Sequence, residues 1–521
     1  MKIRVFLHLF GSLAKLLAVL LLIPGAVAAY YGEPRGVIAF ALTSLFTLAA
    51  GIVLSRLGKE EEMGIKEGLA LVALGWLGAA IFGALPYVLL GTSVVDGLFE
   101  SMSGFTTTGS SILTEFDAQG YWILNQTLAN QSLASTLEAG LRQLAVNSSI
   151  LEIPSRKESY FGLLFWRSFS QWLGGMGIIL LFIAILPRLG VAGRSLYRAE
   201  VPGPEKDALT PRIKQTARML WWIYVLISFF EVVLLKLAGM PLYDSLCNTF
   251  ATMATGGLSP QAGSIAAYQS GLIDGLIILF MFLAGANFAL HYRMLYFDRT
   301  SLFRDPEFKF YALIVLVMTA AIVFWGGLEG DLLYKVRLAS FQVVSIMTTT
   351  GFATADFDRW TAAAKLILLM LMFIGGCAGS TGGAIKVVRI LLVLKSGYRE
   401  LFHALHPKAI LTVKLGGVPV KEDVLRPSNV FLALYMTIFA TAALLLAVIS
   451  YGNPAMDTTT ITSAVATTLG NVGPGFGLVG PTMSFAHIHP LGKLVLILCM
   501  WIGRLEVVSV LVLFMPEFWK K

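Results

Sequence analysis

The sequence predicts an all-α polytopic membrane protein. It should contain four pseudo-repeats of helix–pore loop–helix around a central pore, plus two N-terminal transmembrane helices. Three observations carry this reading. Of 521 residues, 56% are hydrophobic and only 13% are charged, against roughly 25% charged in a soluble domain. Apolar runs long enough to cross a bilayer recur along the chain. Among them stand four Thr- and Gly-rich segments: TTTG at 106–109, ATGG at 254–257, TTTG at 348–351 and TTLGNVGPG at 467–475.

A span needs about 20 mostly apolar residues. Ten stretches qualify: 5–30, 36–56, 68–91, 163–187, 219–239, 271–292, 310–328, 361–394, 428–450 and 490–515. The first resembles a signal peptide, with Lys2, Arg4 and Ala26-Val27-Ala28. Lys15 interrupts its apolar stretch, so it reads as a retained helix. The connections between spans alternate in charge. Residues 188–218 hold Arg188, Arg194, Arg198, Lys206, Arg212, Lys214 and Arg218, residues 293–309 hold Arg293, Arg299, Arg304 and Lys309, and residues 386–426 hold eight Lys or Arg. Residues 240–270 and 451–490 hold none, and 329–360 hold only Lys335, Arg337 and Arg359. The positive-inside rule puts the basic connections and both termini in the cytoplasm. The net charge of +8 therefore marks membrane orientation, and no nucleic-acid partner is expected. Cys247, Cys377 and Cys499 lie in or beside apolar segments without disulfide or metal spacing.

All four Thr/Gly segments fall in the outer connections. A short apolar stretch precedes each and is too short to cross. Asp96, Asp244 and Asp457 head three of these stretches and suit helix N-caps; the third copy, RLASFQVVSIM, lacks the Asp. The unit is a spanning helix, a half-helix, an extended Thr/Gly strand and a second spanning helix. Non-helical backbone at membrane depth is tolerated where it lines a water-filled path. Four such strands around an axis can replace the hydration shell of a monovalent cation with carbonyl oxygens. The half-helices add their partially negative C-termini. An anion path would want Arg or Lys, and the strands carry none. One TTTG alone reads as a tight turn; four on one side of the membrane read as a pore.

Beyond FTTTGSSIL, FATMATGGLS, MTTTGF and LGNVGPGFG, the chain carries WRSFSQWLGGMGIILLFIAILP at 166–187, RAEVPGPEKDALTPRI at 198–213, GGCAGSTGGAIKVVRILLVLK at 375–395 and GRLEVVSVLVLF at 503–514. In these motifs and their order it resembles the TrkH/KtrB/HKT superfamily of potassium transporters, and within it the prokaryotic TrkH type. The resemblance implies potassium uptake across the cytoplasmic (inner) membrane. It implies a homodimer above a cytosolic TrkA-like RCK ring that binds ATP/ADP or NAD, with no cofactor on this chain itself. Carried over, the filter residues are Thr107, Thr108 and Gly109; Ala254, Thr255 and Gly256; Thr349, Thr350 and Gly351; and Asn471, Val472 and Gly473. Gly470 rivals Gly473, because its distance from Asp457 equals that of Gly109 from Asp96. The expected layout is 1–66 for the two leading helices, 67–218 for repeat 1 with an outer insertion at 116–160, 219–309 for repeat 2, 310–426 for repeat 3 and 427–521 for repeat 4. The insertion is longer than the resemblance implies. Its Asn125, Asn130 and Asn147 triplets fit the glycosylation pattern but are common in Asn/Ser-rich sequence.

The span 361–394 carries five glycines between 375 and 383. Each costs about 1 kcal/mol in a helix interior, so the helix should break there. The alternative is close helix packing through small residues. The resemblance makes Gly375, Gly376, Ala378, Gly379, Ser380, Thr381, Gly382 and Gly383 an intramembrane gate loop. Arg504 lies inside the last span and needs interior partners; the resemblance puts it on the pore wall near that loop. Glu506, two residues on, falls on another helical face. Glu231 and Lys236, and the His487-x-His489 pair in an outer loop, carry no functional expectation. Competing readings are a sodium-permeable or cation-coupled symporter of the same fold, or a secondary transporter of another solute. No nucleophile–base constellation supports an enzyme.

Overall fold

The computed structural model describes residues 1–61, 64–123, 160–185, 213–409, 411–420 and 422–520. Most of the outer insertion and the basic stretch from Arg188 to Arg212 lie outside these residues. So do the three Asn triplets and nearly all of the 198–213 motif.

Two candidate spans come first. Helices α1 (Ile3–Leu20) and α2 (Leu22–Tyr30) form one, and α3 (Pro34–Leu57) packs back along both. Their contact needs glycine: an added Cβ at Gly11 would sit 2.6 Å from the Gly51 carbonyl oxygen. The outward faces of these helices are Leu, Val and Phe, as lipid contact requires.

Four repeats follow. Repeat 1 is α4 (Ile65–Leu89), pore helix α5 (Val94–Phe105) and α6 (Phe161–Ile185). Repeat 2 is α7 (Ile213–Leu237), pore helix α8 (Leu242–Met253) and the pair α9 (Gly271–Ala284) and α10 (Phe288–Tyr296). Repeat 3 is α11 (Pro306–Trp325), pore helix α12 (Leu332–Met347), α13 (Ala362–Leu371) and α14 (Val387–Leu405). Repeat 4 is α15 (Glu422–Ile449), pore helix α16 (Thr458–Gly470), α17 (Pro490–Arg504) and the short α18 (Val508–Leu511). The second helix of one repeat packs on the pore helix of the next: α6 on α8, α9 on α12, α17 on α5.

Every second helix is broken, where the sequence predicted only the third to be. Gly177 (φ 80°, ψ 133°) interrupts α6. Gly285–Asn287 bends α9 from α10 by 98°. Residues 372–386 separate α13 from α14. A 111° bend separates α17 from α18, with Glu506 and Val507 at positive φ. The expected continuous span 490–515 thus ends at Arg504.

The pore helices start differently from expectation. Only Asp457 is an N-cap among the three predicted, accepting from Thr460 N at 2.8 Å. Asp96 and Asp244 sit three residues inside their helices, behind Ser93 and Pro241. The third copy does have a capping Asp: Asp331 heads a 16-residue helix, longer than the others.

A buried ion pair holds repeat 1 together. Arg167 Nε donates to Glu100 Oε2 at 3.1 Å, with both side chains at most 2% exposed. Glu100 Oε1 accepts from Ser111 Oγ (2.6 Å) and Ile112 N (2.7 Å), so one carboxylate anchors the stretch that follows Gly109. Gln342 occupies the matching place in repeat 3 and reaches Thr354 Oγ1 at 3.3 Å. Stripping one partner from a buried pair costs about 3–5 kcal/mol, since the other charge remains buried. Glu100→Ala should therefore lower the melting temperature of the detergent-solubilised protein steeply, and Glu100→Gln less, because it keeps the two accepted bonds. An unchanged melting temperature for Glu100→Ala would refute this anchoring role.

Candidate functional site

The four pore helices end alike. A left-handed residue follows the cap in the first three copies and is the cap in the fourth: Thr107 (φ 51°), Thr255 (53°), Thr349 (60°) and Asn471 (55°). The following amide bonds back into the helix: Thr108 N to Ser103 O (2.9 Å), Gly256 N to Ala251 O, Thr350 N to Ser345 O and Val472 N to Thr467 O (each 2.8 Å). This is the Schellman arrangement, which normally recruits glycine. Here three threonines and an asparagine adopt it. Two residues on, a glycine follows at positive φ: Gly109 (83°), Gly257 (70°), Gly351 (81°) and Gly473 (109°).

These glycines close a ring. An added Cβ at Gly109 would overlap the carbonyl oxygen of Gly256. At Gly257 it would overlap that of Thr350, and at Gly351 that of Val472. At Gly473 it would lie 2.9 Å from that of Thr108. Each repeat thus touches the next through one carbonyl, and the fourth returns to the first. No side chain fits at any of the four positions.

The ring changes the second triplet. Thr255, Gly256 and Gly257 stand in register with Thr107, Thr108 and Gly109, whereas Ala254, Thr255 and Gly256 were expected. Ala254 is the helix cap (φ −76°), equivalent to Thr106 and Thr348. Gly473, not Gly470, matches Gly109; Gly470 still belongs to α16. The Asp ruler misleads in the fourth copy because Asp457 is a cap whereas Asp96 lies three residues inside.

Side chains behind the ring alternate. In repeats 1 and 3 a hydroxyl pair braces the turn, Thr106 with Thr108 and Thr348 with Thr350, each at 2.8 Å. Repeats 2 and 4 use amides. Gln171 Nε2 of α6 donates to Gly256 O at 2.6 Å, and Gln171 Oε1 accepts from Leu258 N. Asn471 Nδ2 donates to Thr108 Oγ1 (2.9 Å) and Met500 O (3.0 Å). No basic side chain enters the four stretches, and four helix C-termini point their partial negative charge there.

The glycine loop lies directly against these helix ends. Gly383 N donates to Thr349 Oγ1 at 2.7 Å, and Thr381 Oγ1 donates to Met253 O at 2.9 Å. An added Cβ at Gly382 would sit 3.2 Å from Thr348 O, and one at Gly383 2.5 Å from Gly470 O. Within the loop, Gly375 N bonds Ile385 O (2.9 Å), Val387 N bonds Gly376 O (3.1 Å) and Ser380 Oγ bonds Cys377 O (2.6 Å). The break in repeat 2 holds it as well: Cys377 N donates to Gly285 O (2.8 Å), and Gly379 O accepts from Phe288 N (3.0 Å).

Arg504 and the loop meet. Nη1 of Arg504 donates to Thr381 O at 2.7 Å, while Nη2 donates to Gly174 O (3.1 Å) and Gly175 O (3.0 Å) of α6. One guanidinium therefore joins repeats 1, 3 and 4. On the same loop, Ala378 N donates to Glu307 Oε1 (2.7 Å), which also accepts from Val388 N (3.0 Å). Lys386 Nζ donates to Gly382 O. Glu506 pairs with Arg389 at 2.7 Å and not with Arg504. Gln171, Glu307, Lys386 and the glycine pair Gly174-Gly175 went unread in the sequence. The double glycine at 174–175, matched by Gly503 near the other helix break, was the available signal: an added Cβ at Gly174 or at Gly503 would overlap the Phe105 or Leu469 carbonyl oxygen at the end of its own pore helix.

A family model described as TrkH, cation transport protein, matches residues 39–521. The Trk system potassium uptake protein TrkH of Salmonella typhimurium strain LT2 is 37% identical over 531 residues, covering 100% of both chains. The Trk system potassium uptake protein TrkG of Escherichia coli K12 is 31% identical, covering 99% of each. The crystal structure of the potassium transporter TrkH from Vibrio parahaemolyticus superposes with a TM-score of 0.81 at 32% identity, covering 100% of both chains.

The register of the second copy can be tested with two alanines. Gly257→Ala places a Cβ against backbone at positive φ and should abolish ion uptake. Gly256→Ala meets the Gln171 side chain rather than backbone and would disturb its bonds to Gly256 O and Leu258 N, so uptake should be reduced but measurable. Equal loss in both, with both proteins folded, would restore the expected register.

Proposed function

Because the chain belongs to the TrkH family of cation transport proteins, we propose that it takes up potassium through the ring formed by Thr107–Gly109, Thr255–Gly257, Thr349–Gly351 and Asn471–Gly473. The closed contact of four glycines with four carbonyls carries this reading. Oxygen ligands without basic side chains replace the hydration shell of a monovalent cation, and four helix C-termini favour its charge. The protein is a multi-pass membrane transporter and not an enzyme. Its orientation in the cytoplasmic (inner) membrane follows from the basic connections, with both termini inside. Sodium permeation and ion-coupled symport are the alternatives within the fold.

The loop at 375–383 and Arg504 form the gate. They lie on the inner side of the ring, and a guanidinium there both repels cations and fastens Thr381 by a charge-assisted bond. A homodimer above a TrkA-like nucleotide-binding ring would drive opening through α14, whose first turn carries Arg389 and whose N-terminal end is tied to the loop by Glu307. The basic surface at 386–426 suits an acidic partner or anionic lipid.

Uptake of rubidium, potassium and sodium into proteoliposomes tests the function. Potassium and rubidium should enter and sodium should be excluded; sodium uptake equal to potassium would favour the sodium-permeable alternative. Arg504→Ala tests the gate. A hydrogen bond to a charged group contributes about 1.5–3 kcal/mol, and 1.4 kcal/mol is a factor of ten. Flux without partner should rise at least about tenfold. A folded Arg504→Ala protein with unchanged or lower flux would remove the arginine from the barrier.

A further inference from the structure

Asp96 and Asp244 occupy the same place in successive repeats, each nine residues before the end of its pore helix. Their surroundings differ. Asp96 Oδ1 holds the Lys493 ammonium at 2.5 Å. Asp244 is 1% exposed and has no Lys, Arg or His partner among the described residues. Its neighbours are hydroxyls and amides instead. Tyr121 Oη donates to Asp244 Oδ2 at a long 3.4 Å, and the Tyr268 and Gln261 side chains also face the carboxylate. Asn248 lies one turn further along the same helix face and is fully buried. Its Nδ2 donates to Tyr268 Oη at 2.9 Å, so both side chains converge on that hydroxyl. Two oxygens of this group, Asp244 Oδ1 and Asn248 Oδ1, have no hydrogen-bond partner.

Two buried, unpartnered oxygens with a net negative charge between them are costly unless something positive is shared. We propose that Asp244 and Asn248, with the hydroxyls of Tyr121 and Tyr268, bind a monovalent alkali cation on the outer side of repeat 2, apart from the filter. The inorganic ion does here what the Lys493 ammonium does at Asp96. All donors are hard oxygens, which suit alkali and alkaline-earth ions over transition metals. A single carboxylate favours one positive charge; calcium sites gather several. The site also has a structural consequence. Tyr121 belongs to the segment leaving the first filter strand, where its backbone bridges to Gln261 and Gly120 O accepts from Ala262 N at 2.8 Å. A cation at Asp244 would fasten the exit of repeat 1 to the pore helix of repeat 2.

Anomalous diffraction from crystals of the full chain in rubidium, together with melting temperatures in sodium, potassium and choline chlorides at equal ionic strength, tests the proposal. A rubidium peak beside Asp244 that disappears in Asp244→Asn, with filter peaks retained, supports it. So does a melting temperature raised by sodium over choline in the wild type but not in Asp244→Asn, which would mark a site too small for rubidium. Should Asp244→Asn not fold, Asn248→Ala keeps the carboxylate and should weaken the same peak or shift. Filter peaks without density at Asp244, combined with a salt response identical in the wild type and the variants, would overturn the proposal and leave Asp244 as a protonated acid bonded to tyrosines.

Discussion

A backbone that leaves its helix inside an apolar layer has no water to bond. Every amide and carbonyl set free there must be satisfied by the protein itself, and this constraint shapes everything around the pore. The four helix ends meet it with one device, a left-handed residue followed by an amide that bonds five residues back. Holding Thr107, Thr255 and Thr349 in that conformation costs something, since β-branched residues are poorly suited to positive φ. In two copies the hydroxyl of the neighbouring cap threonine bonds back to the helix and across the turn. Helix propensity alone would have chosen glycine at the left-handed position.

The ring is four-fold in backbone and two-fold in side chains. Thr/Thr bracing alternates with amide bracing by Gln171 and Asn471. The same alternation recurs further out. An ion pair joins repeat 4 to repeat 1 (Lys493–Asp96), and another joins repeat 2 to repeat 3 (Asp274–Arg337), with the charges exchanged between second helix and pore helix. Fused repeats are free to solve one packing problem twice with different chemistry, because each interface is encoded once.

That freedom also limits what the sequence discloses. Long apolar spans made the all-helical membrane fold legible, and five glycines between 375 and 383 announced one break. The other three breaks were harder to see, because Gly177, Gly285 and the Glu506-Val507 turn lie in apolar runs that still look continuous. Two ring glycines, Gly109 and Gly351, were readable from TTTG. Gly473 had Gly470 as a rival, and in the second copy Gly256 was expected where the fold puts the positive φ on its neighbour Gly257. Counting thirteen residues from Asp96 and from Asp244 gives Gly109 and Gly257, but the same count from Asp457 fails, since a capping Asp and an internal Asp look identical in sequence. Gln171 acts across repeats on Gly256 and Leu258, and Glu307 acts over more than seventy residues on Ala378 and Val388; no local pattern encodes such contacts.

The four breaks and the glycine loop are one structure. A broken helix frees carbonyls at its C-terminal end. Those of repeat 1, Gly174 and Gly175, are taken by Arg504. Those of repeat 2, Ala284 and Gly285, are taken by Thr381 and Cys377. The loop of repeat 3 supplies most of the donors, and repeat 4 supplies the guanidinium where its own helix stops. Withdrawing the loop would leave the Ala284 and Gly285 carbonyls without these donors, at a cost of about 1–3 kcal/mol each. Water entering the vacated space removes that cost. If the loop is the gate proposed above, its withdrawal and the hydration of the space beneath the ring would be a single event.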